Sequence, residues 1–239
     1  MGKEDPTTNV GKRSYLPLKI RETMNLDAWI KKYKNIVVEG PIGVGKTSLT
    51  KKIADKYQLT TLLENAGENP FLKKFYTDNE KYALPTQLFF LFQRLDQLIE
   101  LTQADLFETN FISDFMLEKD TIFAGITLSD LELSLYRKIY ENQSSQICNP
   151  DLVIYLQADP ETLVERIKKR GIVMERYISK EYIVNLSNAY NKFFYSYEKS
   201  PVLIVNTTHL DPIHKAEDFD LLMNQLKMFK GRRAFFNAI

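Results

Sequence analysis

The chain of 239 residues contains a single cysteine, Cys148, and only two histidines, His209 and His214. One cysteine cannot form a disulfide within the chain, and it cannot build a cysteine-rich metal site. Two histidines near the C-terminal end do not suit a histidine-based catalytic triad or a zinc site. These shortages exclude several common kinds of catalytic and metal sites.

The sequence also lacks an apolar run of about 18 residues, the length of a membrane-spanning helix. Its opening segment is polar and does not resemble a secretory signal. The 32 Lys and Arg residues are balanced by 31 Asp and Glu residues, which argues against nucleic-acid binding by overall charge. We therefore expect a cytoplasmic protein without nucleic-acid or membrane partners.

Hydrophobic residues make up 44% of the chain, which is enough for a substantial core. No linker rich in glycine, serine or proline divides it, so we predict a weakly structured arm over residues 1–33 and one domain over residues 34–239. Five short apolar segments alternate with helical stretches, and this predicts a parallel sheet covered by helices on both faces. The predicted strands are Asn35–Glu39, Thr60–Glu64, Asn110–Asp114, Leu152–Leu156 and Val202–Asn206.

Two predicted helices, "LPTQLFFLFQRLDQLIEL" and "SDLELSLYRKIYENQ", carry more apolar surface than one sheet face normally covers. Either these helices pack on each other, or they bury an apolar stripe in a second copy of the chain. We favour a homodimer formed through the helices.

The segment "EGPIGVGKTSL" fits the phosphate-binding pattern G-x-x-x-x-G-K-[ST] between a predicted strand and a predicted helix. Glycines let the backbone N–H groups curl around a phosphate, and the following helix adds its positive N-terminus. Lys46 can reach the β- and γ-phosphates, and the Thr47 hydroxyl can bind Mg²⁺. The predicted ATP-binding residues are Gly40, Pro41, Ile42, Gly43, Val44, Gly45, Lys46, Thr47 and Ser48.

The use of the bound phosphate is indicated by what accompanies this loop. A guanine-nucleotide switch would carry an N-K-x-D segment, and "NTTH" after the last predicted strand has neither the lysine nor the aspartate. A motor or AAA-type ATPase would normally be longer. Glu64, at the end of the second predicted strand, is expected to lie opposite the γ-phosphate, where a carboxylate can accept a hydroxyl proton. Group transfer is therefore the favoured reaction.

Beyond the phosphate loop and Glu64, the sequence resembles the deoxynucleoside kinase family, particularly its bacterial deoxyadenosine/deoxyguanosine kinase branch. The segments that carry the resemblance are "EGPIGVGKTSL", "LLENAGENPFLKKFYTD", "ALPTQLFFLFQR", "EKDTIFA", "NPDLVIYLQADPETLVERIKKRG" and "ISKEYIVNLSNAYNKFF". The resemblance implies an α/β P-loop kinase with a five-stranded parallel sheet and a helical lid. It also implies transfer of the γ-phosphoryl group of ATP, with Mg²⁺, to a deoxynucleoside 5′-hydroxyl. Purine nucleosides are favoured, and deoxycytidine remains open.

The resemblance assigns roles on the acceptor side. It implies that Glu64 activates the 5′-hydroxyl, that Tyr76 contacts the sugar 3′-hydroxyl, and that Gln87 contacts the base. Arg94 is implied near the 5′-hydroxyl or its base-side partner. Gln87 and Arg94 are seven residues apart and so share one helix face, with Phe90 between them as a stacking ring.

Asp114 resembles the acidic residue that supports Mg²⁺ in the family, which gives Thr47 and Asp114 as the predicted metal ligands. Many relatives continue with an arginine and a serine at this point, whereas this chain reads "SDFMLEKD". The arginine is therefore missing. Lys119 or a lid arginine are the candidates to replace it.

The segment "ERIKKRGIVMER" resembles the lid that closes over the phosphates. Arg166 and Arg170 lie on one helix face and can neutralise charge on the transferred group. We predict that both are catalytic, together with Lys46 and Glu64. Glu175 matches the lid carboxylate that reaches the 3′-hydroxyl.

Two rival functions remain open. Thymidylate kinase shares this fold but takes an acceptor that is already phosphorylated, so it would need an extra pair of cations beside the acceptor. A non-catalytic scaffold could keep a kinase fold for assembly alone. Intact Lys46, Thr47 and Glu64 argue against the scaffold.

Overall fold

The computed structural model describes residues 28–103, 110–145 and 147–237. At its centre is a parallel sheet with the strand order β2-β3-β1-β4-β5-β6. The strands are β1 (Asn35–Glu39), β2 (Thr60–Leu62), β3 (Phe111–Ser113), β4 (Leu152–Gln157), β5 (Val202–Asn206) and β6 (Arg233–Asn237). Helices flank this sheet, which confirms the predicted α/β class.

The described helices connect these strands and cover the sheet. They are α1 (Ala28–Lys31), α2 (Lys46–Tyr57), α3 (Leu72–Phe75), α4 (Asn79–Gln103), α5 (Lys119–Thr127), α6 (Asp130–Ser144), α7 (Pro160–Arg170), α8 (Lys180–Tyr195) and α9 (Ala216–Met228). Short 3₁₀ turns span Ala66–Glu68 and Val173–Tyr177. The α7 helix has a proline in its first turn and ends at Gly171, which adopts a left-handed conformation with φ 70°. These are favoured start and stop residues for a helix.

The core lies on both sides of the central strands because successive strand side chains point to opposite faces. Ile36 and Val38 of β1 are buried in a cluster that includes residues of α2 and α9. Val37, between them, is buried in a second cluster built around α8. A strand buried on both faces reads as a continuous apolar run, which is why β1 was predictable.

The prediction of five strands was wrong, because the sheet has a sixth. Strand β6 pairs in parallel with β5, and Val202 lies opposite Arg233. Its side chains alternate between exposed and half-buried positions. An edge strand of this kind lacks the continuous apolar run that marked the other strands.

Two predicted strands are shorter than expected. Strand β2 ends at Leu62 and β3 at Ser113, so neither Glu64 nor Asp114 is part of the sheet. The Asp114 N–H still donates to the Leu62 carbonyl at 3.2 Å. Beyond that bond the Glu64 N–H donates to the Asp114 side chain instead, at 2.8 Å. After Leu62 and Ser113, the Asp114 side chain therefore replaces the backbone carbonyls that accept hydrogen bonds within the sheet.

Part of the predicted arm packs against the domain. Residues 1–27 lie outside the described residues, but Trp29, Ile30 and Tyr33 are buried in the main core cluster. The indole N–H of Trp29 donates to the Tyr57 hydroxyl at 3.4 Å, and the two rings meet edge to face. Residues 28–33 are thus a packed part of the fold and not a weakly structured one.

The long helices pack partly on each other. Leu91 and Leu95 of α4 share a buried cluster with Tyr136 of α6. Leu131 and Leu135 of α6 remain largely exposed. Among the described helices none is long and apolar enough to cross a membrane.

Candidate active site

The phosphate loop joins β1 to α2. Gly40, Gly43 and Gly45 all have positive φ, a conformation that residues with a Cβ rarely adopt. A Cβ on Gly45 would lie 2.5 Å from Cδ1 of Ile213, so the end of that side chain would have to move. The loop therefore takes its shape from glycine and leads directly into the N-terminus of α2 at Lys46.

The Lys46 ammonium lies against the loop. It donates to the Gly40 carbonyl at 2.7 Å and to the Pro41 carbonyl at 3.2 Å. Burial and the nearby charge of Lys119 lower the pKa of Lys46 to about 8, against the opposing effect of neighbouring carboxylates. Lys46 is thus held where an incoming phosphate can compete for its hydrogen bonds.

Asp114 links the phosphate loop to Glu64. Its Oδ2 accepts a hydrogen bond from the Thr47 hydroxyl, and its Oδ1 accepts the Glu64 backbone N–H at 2.8 Å. A hydroxyl and a carboxylate side by side are the oxygen ligands that Mg²⁺ prefers. The pair therefore has the donor chemistry that the predicted metal position requires.

A cavity of about 320 Å³ opens on one side of the phosphate loop. Five residues predicted on the acceptor side line it together with Glu64, namely Tyr76, Gln87, Phe90, Arg94 and Glu175. The loop residues Ile42, Lys46 and Thr47 line the same cavity. One chamber therefore contains the predicted base, the sugar-side groups and the phosphate loop, and we call it the acceptor cavity.

Both carboxylate oxygens of Glu64 are engaged by cations. Oε1 accepts two hydrogen bonds from the Arg94 guanidinium, one of them at 2.8 Å from Nε. Oε2 accepts from the Lys119 ammonium at 2.8 Å. Burial alone would raise the pKa of Glu64, but Arg94 and Lys119 outweigh it and hold the pKa well below its usual range. Glu64 is consequently ionised at neutral pH.

Arg94 is buried between two carboxylates. It also donates to Oδ1 of Asp120, a residue with no exposed surface. Its guanidinium lies 4.9 Å from the centre of the Phe90 ring. Burial raises the pKa of Asp120 to about 7, although Arg94 opposes the shift. Arg94 therefore fixes Glu64 to the helical layer behind it.

A second cavity of about 330 Å³ lies on the other side of the loop, and we call it the donor cavity. The shared lining residues are Gly43, Gly45, Ser48 and Arg170. The donor cavity is also lined by Val44, Arg166 and the segment from Leu210 to His214. Two ligands in these cavities would thus meet at the phosphate loop.

The two arginines of the predicted lid, Arg166 and Arg170, occupy different surroundings. Arg166 donates to the hydroxyl of Thr207 at 3.0 Å and to its carbonyl at 2.6 Å, and it lines only the donor cavity. Arg170 pairs with Glu175 at 2.5 Å and borders both cavities. The structure therefore brings Arg170, but not Arg166, to the junction of the two cavities.

Of three further buried ionisable groups, Asp120 and Glu39 were absent from the predicted site, and Lys119 was named only as a candidate for the missing arginine. Lys119 contacts Glu64, Asp120 contacts Arg94, and Glu39 accepts the Gly40 N–H at 2.8 Å and the Tyr190 hydroxyl at 3.1 Å. Burial raises the pKa of Glu39. Glu39 could have been selected from the sequence, because it is a carboxylate at the end of an apolar strand. Lys119 and Asp120 could not, because the charged residues of "EKDTIFA" resemble the exposed start of a helix.

The family model described as "Deoxynucleoside kinase" matches residues 36–230. The chain is 32% identical to a deoxyguanosine kinase of Bacillus subtilis (strain 168) over 197 residues, which is 80% of this chain and 95% of the relative. It is also 32% identical over 206 residues to a deoxyadenosine/deoxycytidine kinase of the same organism, covering 82% of this chain and 88% of the relative.

Solved structures of a deoxyadenosine kinase are also similar to this chain. A structure of deoxyadenosine kinase from M. mycoides with bound dATP has a TM-score of 0.70 and 28% identity, covering 80% of this chain and 98% of the other. Another, with dCMP and a flexible dCDP bound, has a TM-score of 0.71 and 29% identity, covering 82% of this chain and all of the other.

Proposed function

The chain belongs to the deoxynucleoside kinase family, and we propose that it transfers the γ-phosphoryl group of ATP to the 5′-hydroxyl of a deoxynucleoside. The observation that carries the proposal is the meeting of two cavities at one phosphate loop, with the ionised Glu64 on the acceptor side. A hydrolase needs one nucleotide cavity and a water. A transferase needs two cavities whose ligands touch.

The proposed step has a balanced course. The 5′-oxygen forms a bond to the γ-phosphorus, and the bond from that phosphorus to the bridging oxygen of ATP breaks. The electron pair of the broken bond stays on ADP, and the hydroxyl proton passes to Glu64. Because such transition states are loose, the hydroxyl needs to lose its proton only late, which a strongly ionised carboxylate can accommodate.

Charge on the moving group is offset by the loop and the lid. Lys46 and the loop N–H groups face the phosphates, and Arg170 stands at the junction of the cavities. Mg²⁺, when held by Thr47 and Asp114, would neutralise the charge on the phosphate oxygens. Arg166 would act from the donor side after leaving Thr207.

Acceptor binding is assigned to the remaining lining residues. We propose that Tyr76 and Glu175 bind the 3′-hydroxyl, that Gln87 binds the base edge, and that Phe90 packs on the base. An amide offers a donor and an acceptor together, which suits adenine, guanine or cytosine. The relatives named as deoxyguanosine and deoxyadenosine kinases favour purines, and the deoxyadenosine/deoxycytidine kinase keeps deoxycytidine open.

The charges of the acceptor cavity weigh against a monophosphate acceptor. Among the residues described along this cavity, Arg94 and Lys119 pair with Glu64, Arg170 pairs with Glu175, and Lys46 belongs to the phosphate loop, where it donates to two loop carbonyls. A kinase that acts on an existing 5′-phosphate would need cations left over for that phosphate. The scaffold alternative is disfavoured by the same ordered site.

We further propose a cytoplasmic homodimer that works in nucleoside salvage. Support for a dimer comes from Leu131 and Leu135, which expose apolar surface on α6 beside α4. The expected product is a deoxynucleoside monophosphate.

The test is a panel of acceptors with ATP and Mg²⁺. The panel contains the four natural deoxynucleosides and their 5′-monophosphates, and product is followed by transfer of labelled γ-phosphate. We expect turnover on one or two purine deoxynucleosides. Turnover on monophosphates alone would make the chain a nucleotide kinase, and ATP binding without any transfer would leave the scaffold.

A further inference from the structure

We propose that Lys119 is a catalytic residue of the transfer reaction, the cation that binds the acceptor's 5′-oxygen and the arriving phosphoryl group beside Glu64. The proposal rests on the proposed function and adds a residue to it. Its ground is the position of one ammonium group, buried, facing the acceptor cavity and in contact with the proposed base.

The surroundings of Lys119 indicate a ligand for it. The residue is only 4% exposed, yet it lines the acceptor cavity together with Lys46 and Thr47. An ammonium has three N–H donors. Within the part of the chain that the structure describes, only Glu64 accepts a hydrogen bond from this ammonium, at 2.8 Å. Two donors therefore remain for whatever fills the cavity.

The charge of Lys119 is secured by its neighbours. Burial would lower the pKa of Lys119, but the carboxylates of Glu64 and Glu39 raise it above its usual value. Lys119 thus stays protonated and acts as a cation throughout, not as a proton carrier. Lys119 and Lys46 line the same cavity, and the charge of Lys119 helps to lower the pKa of Lys46.

During the reaction, the negative charge next to Lys119 moves from Glu64 to the transferred phosphoryl group. Before transfer, Lys119 balances the negative charge of Glu64. As the 5′-oxygen bonds to the γ-phosphorus, Glu64 takes the hydroxyl proton and becomes neutral, while the new phosphate ester carries the negative charge next to it. Lys119 can turn its free N–H groups to that phosphate without leaving its place. It therefore stabilises the transition state more than the ground state.

Among the residues described after Asp114, Lys119 is the first cation along the chain. The next residue, Phe115, is 1% exposed and apolar, so the end of β3 supplies no cation. Arg166 donates to Thr207 on the donor side, and Arg170 pairs with Glu175 at the junction of the two cavities, so Glu64 receives its second cation from Lys119. The candidates for the missing arginine were Lys119 and a lid arginine, and it is Lys119 that donates a hydrogen bond to Glu64.

The experiment compares Lys119→Met and Lys119→Arg with the wild-type chain in steady-state transfer to the best deoxynucleoside. Lys119→Met is expected to lower kcat by about 10²–10³, the loss seen when one charge-stabilising donor is removed. The KM for ATP should change less than threefold. Lys119→Arg should recover at least tenfold of the loss. Lys199→Met is the matched control, since Lys199 pairs with Glu118 outside both cavities and should keep full activity.

A second variant separates chemistry from folding. Lys119→Ala opens space for a small primary amine, so added ethylammonium should raise its kcat with saturation, while it leaves the wild-type rate unchanged. A purely structural lysine would give no such rescue. If Lys119→Met does not fold, Lys119→Gln, which can still donate to Glu64 without a charge, takes its place with the same expected loss.

The outcomes distinguish the two claims. Wild-type turnover with Lys119→Met within threefold of it would overturn the role of Lys119 alone. A loss of kcat that neither arginine nor ethylammonium restores would overturn it as well. Absence of wild-type transfer to any deoxynucleoside would instead overturn the proposed function.

Discussion

Arg94 donates two hydrogen bonds to one carboxylate oxygen of Glu64 at the back of the acceptor cavity. The contact joins helix α4 to the segment after β2, and it is only slightly exposed on either side. An ion pair in such a place is costly to break from one side, since the remaining carboxylate stays buried without its partner.

Arg94→Met is therefore expected to lower both stability and the acid tolerance of the reaction. Glu64 and Asp120 would lose their shared cation, and we expect the free energy of unfolding to fall by about 3–5 kcal/mol. The pKa of Glu64 is now held low by Arg94 and Lys119, so without Arg94 the acid limb of kcat should move to higher pH. Urea unfolding and a pH–rate profile measure the two effects. A loss below about 1 kcal/mol would show that this pair contributes little.

Asp120 predicts a measurable pH dependence of stability. Burial raises its folded-state pKa from 3.8 to about 7. Between these values the folded chain binds the proton more tightly, so the group's contribution to stability is largest at low pH and decreases as the pH rises to 7. Among the described residues, the charged or titratable groups that interact with Asp120 are Arg94, Glu64, Lys119, Tyr136 and Tyr140.

The measurement compares wild type with Asp120→Asn, which does not titrate. The difference in unfolding free energy should move against the wild type between pH 4 and pH 7, by at most about 1.4 kcal/mol per pH unit, the value for one proton. Chemical unfolding at fixed pH values gives this difference. A difference that stays constant with pH would contradict the raised pKa.

Gly45→Ala, which adds one methyl group to the phosphate loop, is expected to weaken ATP binding. Its φ is 101°, and a Cβ would lie 2.5 Å from the Ile213 side chain in the donor cavity. We expect Gly45→Ala to strain the loop by about 1–2 kcal/mol, which corresponds to a loss of about 5- to 30-fold in ATP affinity. Calorimetric titration with ATP measures it.

Gly125→Ala is the control for this change. Gly125 lies inside α5, and a Cβ there would have nothing within 4 Å. This variant should keep ATP affinity and gain about 0.5–1 kcal/mol of stability from the better helix former. Equal ATP binding by both variants would remove the steric argument for the loop.

The exposed leucines of α6 predict how the chain associates. Leu131 and Leu135 are 87% and 51% exposed, and we expect them to be covered in a homodimer. Replacing both with lysine should convert a dimer into a monomer in light scattering after size-exclusion chromatography. Leu221→Lys, at a 48% exposed leucine on α9, should leave the mass unchanged. A wild-type chain that is already monomeric would reject this interface.

The sequence predicted the sheet from its apolar strands, but not all of its members. Residues such as Val37 and Ile154 lie in strands buried on both faces, and their continuous apolar runs are local signals. Strand β6 has no such run, because its edge position leaves Arg233 and Phe235 exposed. Its pairing depends on backbone hydrogen bonds to β5, which the sequence pattern does not record.

In the candidate site, too, residues with a local sequence signal were predictable, and residues placed by long-range packing were not. Glu64 and the phosphate loop were predictable because they end strands or fit a spaced motif. Asp120 was not selected, and Lys119 was named only as one candidate for the missing arginine, because a Lys-Asp pair at a helix start is usually solvated. Their burial depends on α4 packing over α5, which brings Arg94 between the two carboxylates. Contacts of this long range can be recognised only in the folded chain.

The most direct test of the account is the rate of γ-phosphoryl transfer to a purine deoxynucleoside by the wild-type chain and by Glu64→Gln. We expect the wild type to turn over and Glu64→Gln to lose about 10²–10⁴ in kcat, the usual contribution of a positioned base. Glu68→Gln, at an exposed glutamate four residues on, should retain full activity. A Glu64→Gln variant as active as the wild type would contradict the assignment of Glu64 as the base.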